Sequence, residues 1–395
     1  MDITITPKKL CGSITAIPSK SQAHRLLICA AFSDGPTELL CPSTNQDIEA
    51  TATCLNALGA NIVRTETGYS VQPVNTVPET AVLNCNESGS TLRFMLPIAG
   101  ALGVKTTFQM AGRLPQRPLS PLWEEMERMG CVLSRPTKDT IEVQGKLQCG
   151  EYNIDGSVSS QFITGLLFAA ALMDGDTKIN IIGQLESKPY VDMTQQALSI
   201  FGVQTDGCFV SGSNPFRSPG NISVEGDWSN GAFFLAAKAL GNDILISGLS
   251  DDSKQGDKAC VEIIRRLSSE NIIVDAADIP DLVPILSVIA SAYHGATFKN
   301  IARLRLKESD RVATVCTMLS ALGIETRVGD NKMEVFPGKF TGCTIDSVSD
   351  HRIAMSAAIA ATIADGPVTI LDAQCVAKSY PGFWDEYKRL GGRYE

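Results

Sequence analysis

Histidine is scarce in this chain: only His24, His294 and His351 occur, and none of its twelve cysteines forms a CxxC pair. A zinc site is therefore not expected, and unpaired cysteines in such number fit a reducing compartment. Positive charge is not in excess either. Thirty-four Lys and Arg face 43 Asp and Glu, a formal −9, which argues against a general nucleic-acid binder. Long apolar runs are missing. The longest, FITGLLFAAALM from Phe162 to Met173, is too short to span a bilayer, and the opening MDITITPKKL carries no apolar signal core. These absences lead us to expect a cytoplasmic globular protein with neither nucleic acid nor membrane as partner; it is expected to be a monomer. The 395 residues suffice for two or three domains with good cores.

What the chain does contain is a repeat. A small polar turn followed by an apolar helix recurs six times: SKSQAHRLLICAAFS from Ser19, ESGSTLRFMLPIAGAL from Glu87, SVSSQFITGLLFAAAL from Ser157, GDWSNGAFFLAAKAL from Gly226, IPDLVPILSVIASAY from Ile279 and SVSDHRIAMSAAIAA from Ser347. An amphipathic helix follows, often closed by a glycine: Gly59, Gly130, Gly202, Gly323 and Gly391 stand in this place. The fourth repeat reads as shorter. Short β-rich segments such as DTIEVQG, NKMEVFPG and GYSVQPV come next. Helices such as QFITGLLFAAAL, apolar all round, predict burial, whereas PLWEEMERMG predicts a half-exposed helix. Each repeat thus reads as βαβαββ, and the fold class as α/β with buried helices inside and sheets outside. The last repeat stops before its terminal strand, and DITITP resembles that strand, so the N-terminal strands are expected to complete it. Residues 19–225 then form one three-unit domain. Residues 1–18 with 226–395 form the other.

The turns before the buried helices are rich in cap formers: Ser19 and Ser21, Ser88 and Ser90, Ser157 and Ser159, Asp227 and Ser229, Asp281, and Ser349 with Asp350. Capping alone explains any one of them. Free N–H groups and the positive helix end also suit an anion, and basic residues recur at the same turns. Lys20 and Arg25 lie in the first unit, Arg93 in the second and Arg352 in the sixth. Arg117 and Lys378 precede second helices, as do Lys307 and Arg311 in RLRLKESDR. Pseudo-symmetric repeats bring equivalent turns to one end of a domain, so cations scattered in sequence are expected to converge.

The motifs PSKSQAHR, NESGSTLR, LPQRPLSPL, SVSSQF, SKPYVDM, IPD, LRLKESDR, SDHRIAM and AKSYPGFW, in this order from Pro18 to Trp384, resemble the 5-enolpyruvylshikimate-3-phosphate synthase family. The resemblance implies two inside-out α/β domains of three βαβαββ units, pseudo-threefold, with the active site in the cleft between them. It implies transfer of the enolpyruvyl group of phosphoenolpyruvate to the 5-hydroxyl of shikimate 3-phosphate, through a tetrahedral intermediate and with release of phosphate. No metal or organic cofactor is implied. Matched motif by motif, the shikimate 3-phosphate site is expected to comprise Lys20, Ser21, Arg25, Ser159, Ser160, Gln161, Ser187, Tyr190, Asp281 and Lys307. The phosphoenolpyruvate site is expected to comprise Lys20, Gly89, Arg117, Gln161, Arg311, Arg352 and Lys378. Asp281 is the expected base, with Glu308 and Lys20 as proton-transfer partners. Two ligands side by side, each with a phosphate and a carboxylate, require such a density of cations.

Plainer roles stand beside these: an ion pair with Lys307 or Arg311 for Glu308, N-capping for Asp281, support of a turn for Arg93, and structural burial for His24 and His351. Arg303 stands where some members of the family have Asn. The rival reading within the fold is a UDP-N-acetylglucosamine enolpyruvyl transferase, which has an AKN-type start and a reactive cysteine where this chain has SKSQAHR and RLPQRPLSP. A non-catalytic ring or scaffold is the rival outside enzymes, and it requires a basic inner surface.

Overall fold

In a computed structural model, residues 1–212 and 214–395 are described. The chain separates into two compact units. One is continuous, Pro18–Val224; the other joins Met1–Ile17 to Glu225–Glu395.

The continuous unit carries three four-stranded sheets of one plan. A parallel pair is extended by an antiparallel hairpin, as in Thr80–Asn84, Lys105–Gln109, Thr140–Gly145 and Cys131–Ser134, written in spatial order. A helix must connect the parallel pair, because parallel strands need a crossover. Here it is Gly89–Leu102, buried along almost its whole length. Lys20–Ala31 and Ser160–Ala171 hold the equivalent places and are also buried, so helices form the centre and the sheets lie outside. By contrast, Leu122–Arg128 buries Leu122 and Met126 and leaves Glu124 and Glu127 exposed. Gly165 lets two central helices meet closely: a Cβ there would lie 2.8 Å from Pro97 Cγ and 3.2 Å from Phe94 Cα.

In the discontinuous unit two sheets repeat this plan. The third has only two strands, Asp243–Ser247 and Cys11–Thr15, which agrees with the short fourth repeat. The expectation for the N-terminal strands holds for one of them. Ile3–Thr6 lies between Val368–Leu371 and Arg393–Tyr394 and completes the sheet of the last repeat. Cys11–Thr15 instead pairs in parallel with the fourth repeat. It thus takes the place that the parallel partner strand holds in the other sheets, and no antiparallel hairpin is added to this one.

Local signals explain the helix ends. Ser19, Ser88, Ser159, Asp227 and Asp350 each accept a hydrogen bond from a backbone N–H of the first turn. The five glycines that close second helices have φ between 82° and 106°, where a side chain would be strained. Asp281 departs from this pattern. The helix Val283–Ala292 starts without a side-chain cap; the carboxylate of Asp281 is engaged elsewhere.

Candidate active site

In the continuous unit the basic residues gather around three helix starts. Lys20 opens the first central helix, and its Nζ lies 2.9 Å from Asp47 Oδ2. Arg25, one turn on, is fully buried and held by neutral acceptors. Its Nε donates to Thr194 Oγ1 at 2.9 Å, Nη1 to the Ser21 carbonyl at 2.6 Å, and Nη2 to the Tyr190 carbonyl at 2.8 Å and Thr164 Oγ1 at 3.4 Å. Burial lowers its pKa to about 10, which leaves it charged at neutral pH. The same guanidinium thus ties the backbones of two predicted residues, Ser21 and Tyr190. Ser187 begins the helix of Tyr190 in a left-handed conformation, φ 57°.

Ser159 caps the third central helix, and Ser160 and Gln161 form its first turn. Gln161 bridges to the second central helix, where it meets Arg93 and Ser90. Gly89 opens that helix, and the space a side chain would fill is taken by the guanidinium of Arg117: a Cβ would lie 2.9 Å from Arg117 Cζ. Gly89 is expected at the phosphoenolpyruvate site; the group that lies against it here is another of the predicted residues. His24 is buried. Its Nδ1 lies 2.7 Å from Thr51 Oγ1, which lies 2.7 Å from Thr91 Oγ1, which in turn donates to the cap Ser88. Burial, with Lys20 and Arg25 nearby, holds its imidazole well below the usual pKa, so it is neutral.

The discontinuous unit gathers a second group. Asp281 receives Arg311 Nη1 at 2.6 Å, Lys307 Nζ at 3.2 Å and Arg352 Nη2 at 3.4 Å. Arg311, 1% exposed, also donates to Glu308 Oε2 at 2.6 Å and Asp350 Oδ2 at 2.9 Å. Asp350 is completely enclosed, accepts from Ser309 Oγ at 2.8 Å, and caps the helix that carries Arg352. Burial would raise the carboxyl of Asp281, but Lys307, Arg352 and Arg311 hold it well below the usual carboxylate range. Burial lowers Lys307 to about 8, against the pull of Asp281. Lys378 donates to the Ser349 carbonyl at 3.0 Å, beside the start of the same helix. Arg305 and Asp310 pair with each other at 2.9 Å, and Asp310 caps the helix Arg311–Ala321.

The predicted residues therefore fall into two groups, one in each unit. Sequence reasoning missed Asp350 as an ionic partner, because it read that residue only as a cap, and it missed Asp47 altogether. Among the described residues no group of three or more His, Cys, Asp or Glu is placed to hold a metal ion, and no helix is long and apolar enough to cross a membrane. A cavity of about 470 Å³ near Trp228, Gln255 and Lys258 is lined by none of the predicted residues. Chemically, the second group is a set of cations already occupied by carboxylates. An incoming phosphate or carboxylate would compete for them.

The sequence model of the family EPSP synthase (3-phosphoshikimate 1-carboxyvinyltransferase) matches residues 5–387. A 3-phosphoshikimate 1-carboxyvinyltransferase of Clostridium kluyveri is 38% identical, covering 100% of this chain and 98% of its own length. One of Clostridium beijerinckii is 37% identical with the same coverage. An EPSP synthase structure from Acinetobacter baumannii superimposes with a TM-score of 0.82 at 24% identity, covering 100% of this chain and 99% of that one. The enolpyruvyl transferase NikO from Streptomyces tendae gives 0.78 at 16%, covering 100% and 98%. At these identities the structural likenesses speak for the fold.

Proposed function

The chain belongs to the EPSP synthase (3-phosphoshikimate 1-carboxyvinyltransferase) family, and on that premise we propose how its side chains divide the work. The reaction transfers the enolpyruvyl group of phosphoenolpyruvate to the 5-hydroxyl of shikimate 3-phosphate and releases phosphate, a step of aromatic amino acid biosynthesis. The observation that carries this reading is kinship along the whole chain, with relatives of that name covering all of it at 37–38% identity.

Shikimate 3-phosphate is assigned to Lys20, Ser21, Ser159, Ser160, Gln161, Ser187 and Tyr190, with Asp281 and Lys307 on its ring. Arg25 serves the same ligand by its charge and by holding Ser21 and Tyr190, since its own N–H groups are largely engaged. Phosphoenolpyruvate is assigned to Lys20, Arg117 over Gly89, Gln161, Arg311, Arg352 and Lys378. Arginine forks suit its phosphate and carboxylate oxygens.

Asp281 takes the proton of the 5-hydroxyl as that oxygen attacks C2 of the enol. In the ligand-free chain its three cations make it a weak base. When the phosphate and carboxylate of the donor engage Arg311 and Arg352, their pull on Asp281 falls and its basicity rises. Glu308 and Lys20 exchange the proton that C3 gains and later loses. Expulsion of phosphate from the tetrahedral adduct then restores the enol double bond. Purified protein mixed with both substrates should release phosphate at a rate proportional to enzyme. No release with either substrate in excess rejects the assignment.

A further inference from the structure

The geometry points to Arg93 as a positioning residue that orients the side-chain amide of Gln161 toward the enolpyruvyl donor. The inference rests on the assignment of Gln161 to the phosphoenolpyruvate site. Arg93 is 3% exposed, its guanidinium lies 5.5 Å over the Phe162 ring, and Nη1 donates to Gln161 Oε1 at 2.7 Å. A guanidinium has donors only, so the Gln161 atom facing it must be the carbonyl oxygen. The amide nitrogen is thereby turned to the other side, where one N–H reaches Ser90 Oγ at 2.9 Å. Its second N–H is left for a ligand.

The choice matters because the two ends of an amide have nearly the same shape and opposite polarity. An anionic oxygen is stabilised by the N–H end and repelled by the carbonyl. Without a donor-only partner the two orientations would lie close in energy, and one of them opposes binding. Two further features hold the arrangement. The close approach at Gly165 sets the separation of the helices that carry Arg93 and Gln161. Arg93 Nη2 also donates to the carbonyl of Pro118 at 3.0 Å, the residue after Arg117, so one side chain anchors the amide and the chain beside the neighbouring cation.

The test is steady-state kinetics of the full chain carrying Arg93→Met, Arg93→Lys, Gln161→Ala, or Gln161→Ala with either Arg93 change. Arg93→Met should raise the KM for phosphoenolpyruvate by roughly 10–50-fold, the scale of a lost hydrogen bond to a charged group, and that for shikimate 3-phosphate by less than about threefold. Arg93→Lys, which keeps a donor, should recover part of the loss. In the Gln161→Ala background the same substitutions should change the donor KM by less than about fivefold. Equal rises for both substrates, or equal effects in both backgrounds, overturn the inference. If Gln161→Ala raises the donor KM and neither Arg93 variant does, the Arg93 inference alone fails. If Gln161→Ala leaves it unchanged, the assignment of Gln161 fails as well. Should Arg93→Met not fold, Arg93→Lys is judged by the same criteria.

Discussion

Arg25 and Arg311 are both enclosed, and they are held in opposite ways. The hydrogen bonds of Arg25 go to hydroxyls and backbone carbonyls, and its guanidinium lies 5.4 Å over the Phe94 ring, so its charge is solvated by dipoles but not cancelled. Arg311 touches three carboxylates, those of Asp281, Glu308 and Asp350. With Lys307 and Arg352 these make a group of three acids and three bases. The contrast separates two tasks. A cation held by dipoles keeps its field for an arriving anion and favours binding. On the proposed assignments, a cation held by carboxylates would exchange one partner for an arriving anion and leave the released carboxylate to move protons.

The contrast can be broken by substitution. Arg311→Met leaves the enclosed Asp350 without its counter-ion and should destabilise the discontinuous unit by about 3–5 kcal/mol, with partial recovery when Asp350→Asn is added. Arg25→Met strands only neutral acceptors and should cost about 1–3 kcal/mol. Urea unfolding followed by hydrogen exchange in each unit measures both, and equal costs would erase the distinction. Next in size is turnover. Glu308→Gln should lower kcat by at least roughly 100-fold while both substrates still bind. Surviving turnover with lowered stability would make Glu308 an ion-pair residue only.

Gly89→Ala addresses the other unit. The added methyl must displace the Arg117 guanidinium, so the KM for phosphoenolpyruvate should rise by about 10-fold, as for a weakened charged hydrogen bond, while that for shikimate 3-phosphate stays near its original value. A change in both would mean that the turn itself had collapsed. Above pH 8 Lys307 loses its proton, and kcat/KM for shikimate 3-phosphate should fall by roughly 3–10-fold by pH 9. Lys307→Arg should remove that limb, and an unchanged limb would assign it to another group.

Acid should resolve the two units by smaller effects. Asp281 and Asp350 bind protons more weakly folded than unfolded. Their contribution is therefore complete above about pH 4, the unfolded value, and is lost as the pH falls through the folded values. His24 is neutral when folded, whereas an unfolded histidine takes up a proton near pH 6.5. The share of stability that His24 gives the continuous unit should thus be lost below about pH 6.5, and the share that Asp281 and Asp350 give the other only below about pH 4. Proteolysis at pH 7, 5.5 and 4 with cleavage sites mapped to each unit would show whether the order holds.

Much of this arrangement was legible in the sequence, because it follows local rules. Five of the six central helices start at a predicted cap former, and the glycines of the second helices have the backbone that only glycine adopts readily. The basic residues at equivalent turns were legible for the same reason, since a repeat carries position with it. What was not legible depended on a second use of one side chain. Asp350 caps a helix and also pairs with Arg311 through both oxygens, and capping alone already accounted for its place. Asp281 looked like a cap and is none, because three cations compete for it. Arg117 lies on a loop without period, so its approach to Gly89 left no pattern in the sequence. The second N-terminal strand went unforeseen because the deficit it fills belongs to a different repeat.

The strand Ile3–Thr6, paired on both sides by segments from the far end of the chain, also sets a timetable for synthesis. At about 5–20 residues per second a ribosome needs roughly 20–70 s to advance from Thr6 to Val368. During that interval the earliest strand to be made has no partner. The continuous unit, Pro18–Val224, has by then been translated in full. One unit can mature while the chain is still growing, and the other has to keep Ile3–Thr6 unpaired and clear of aggregation until Val368–Leu371 and Arg393–Tyr394 have been made.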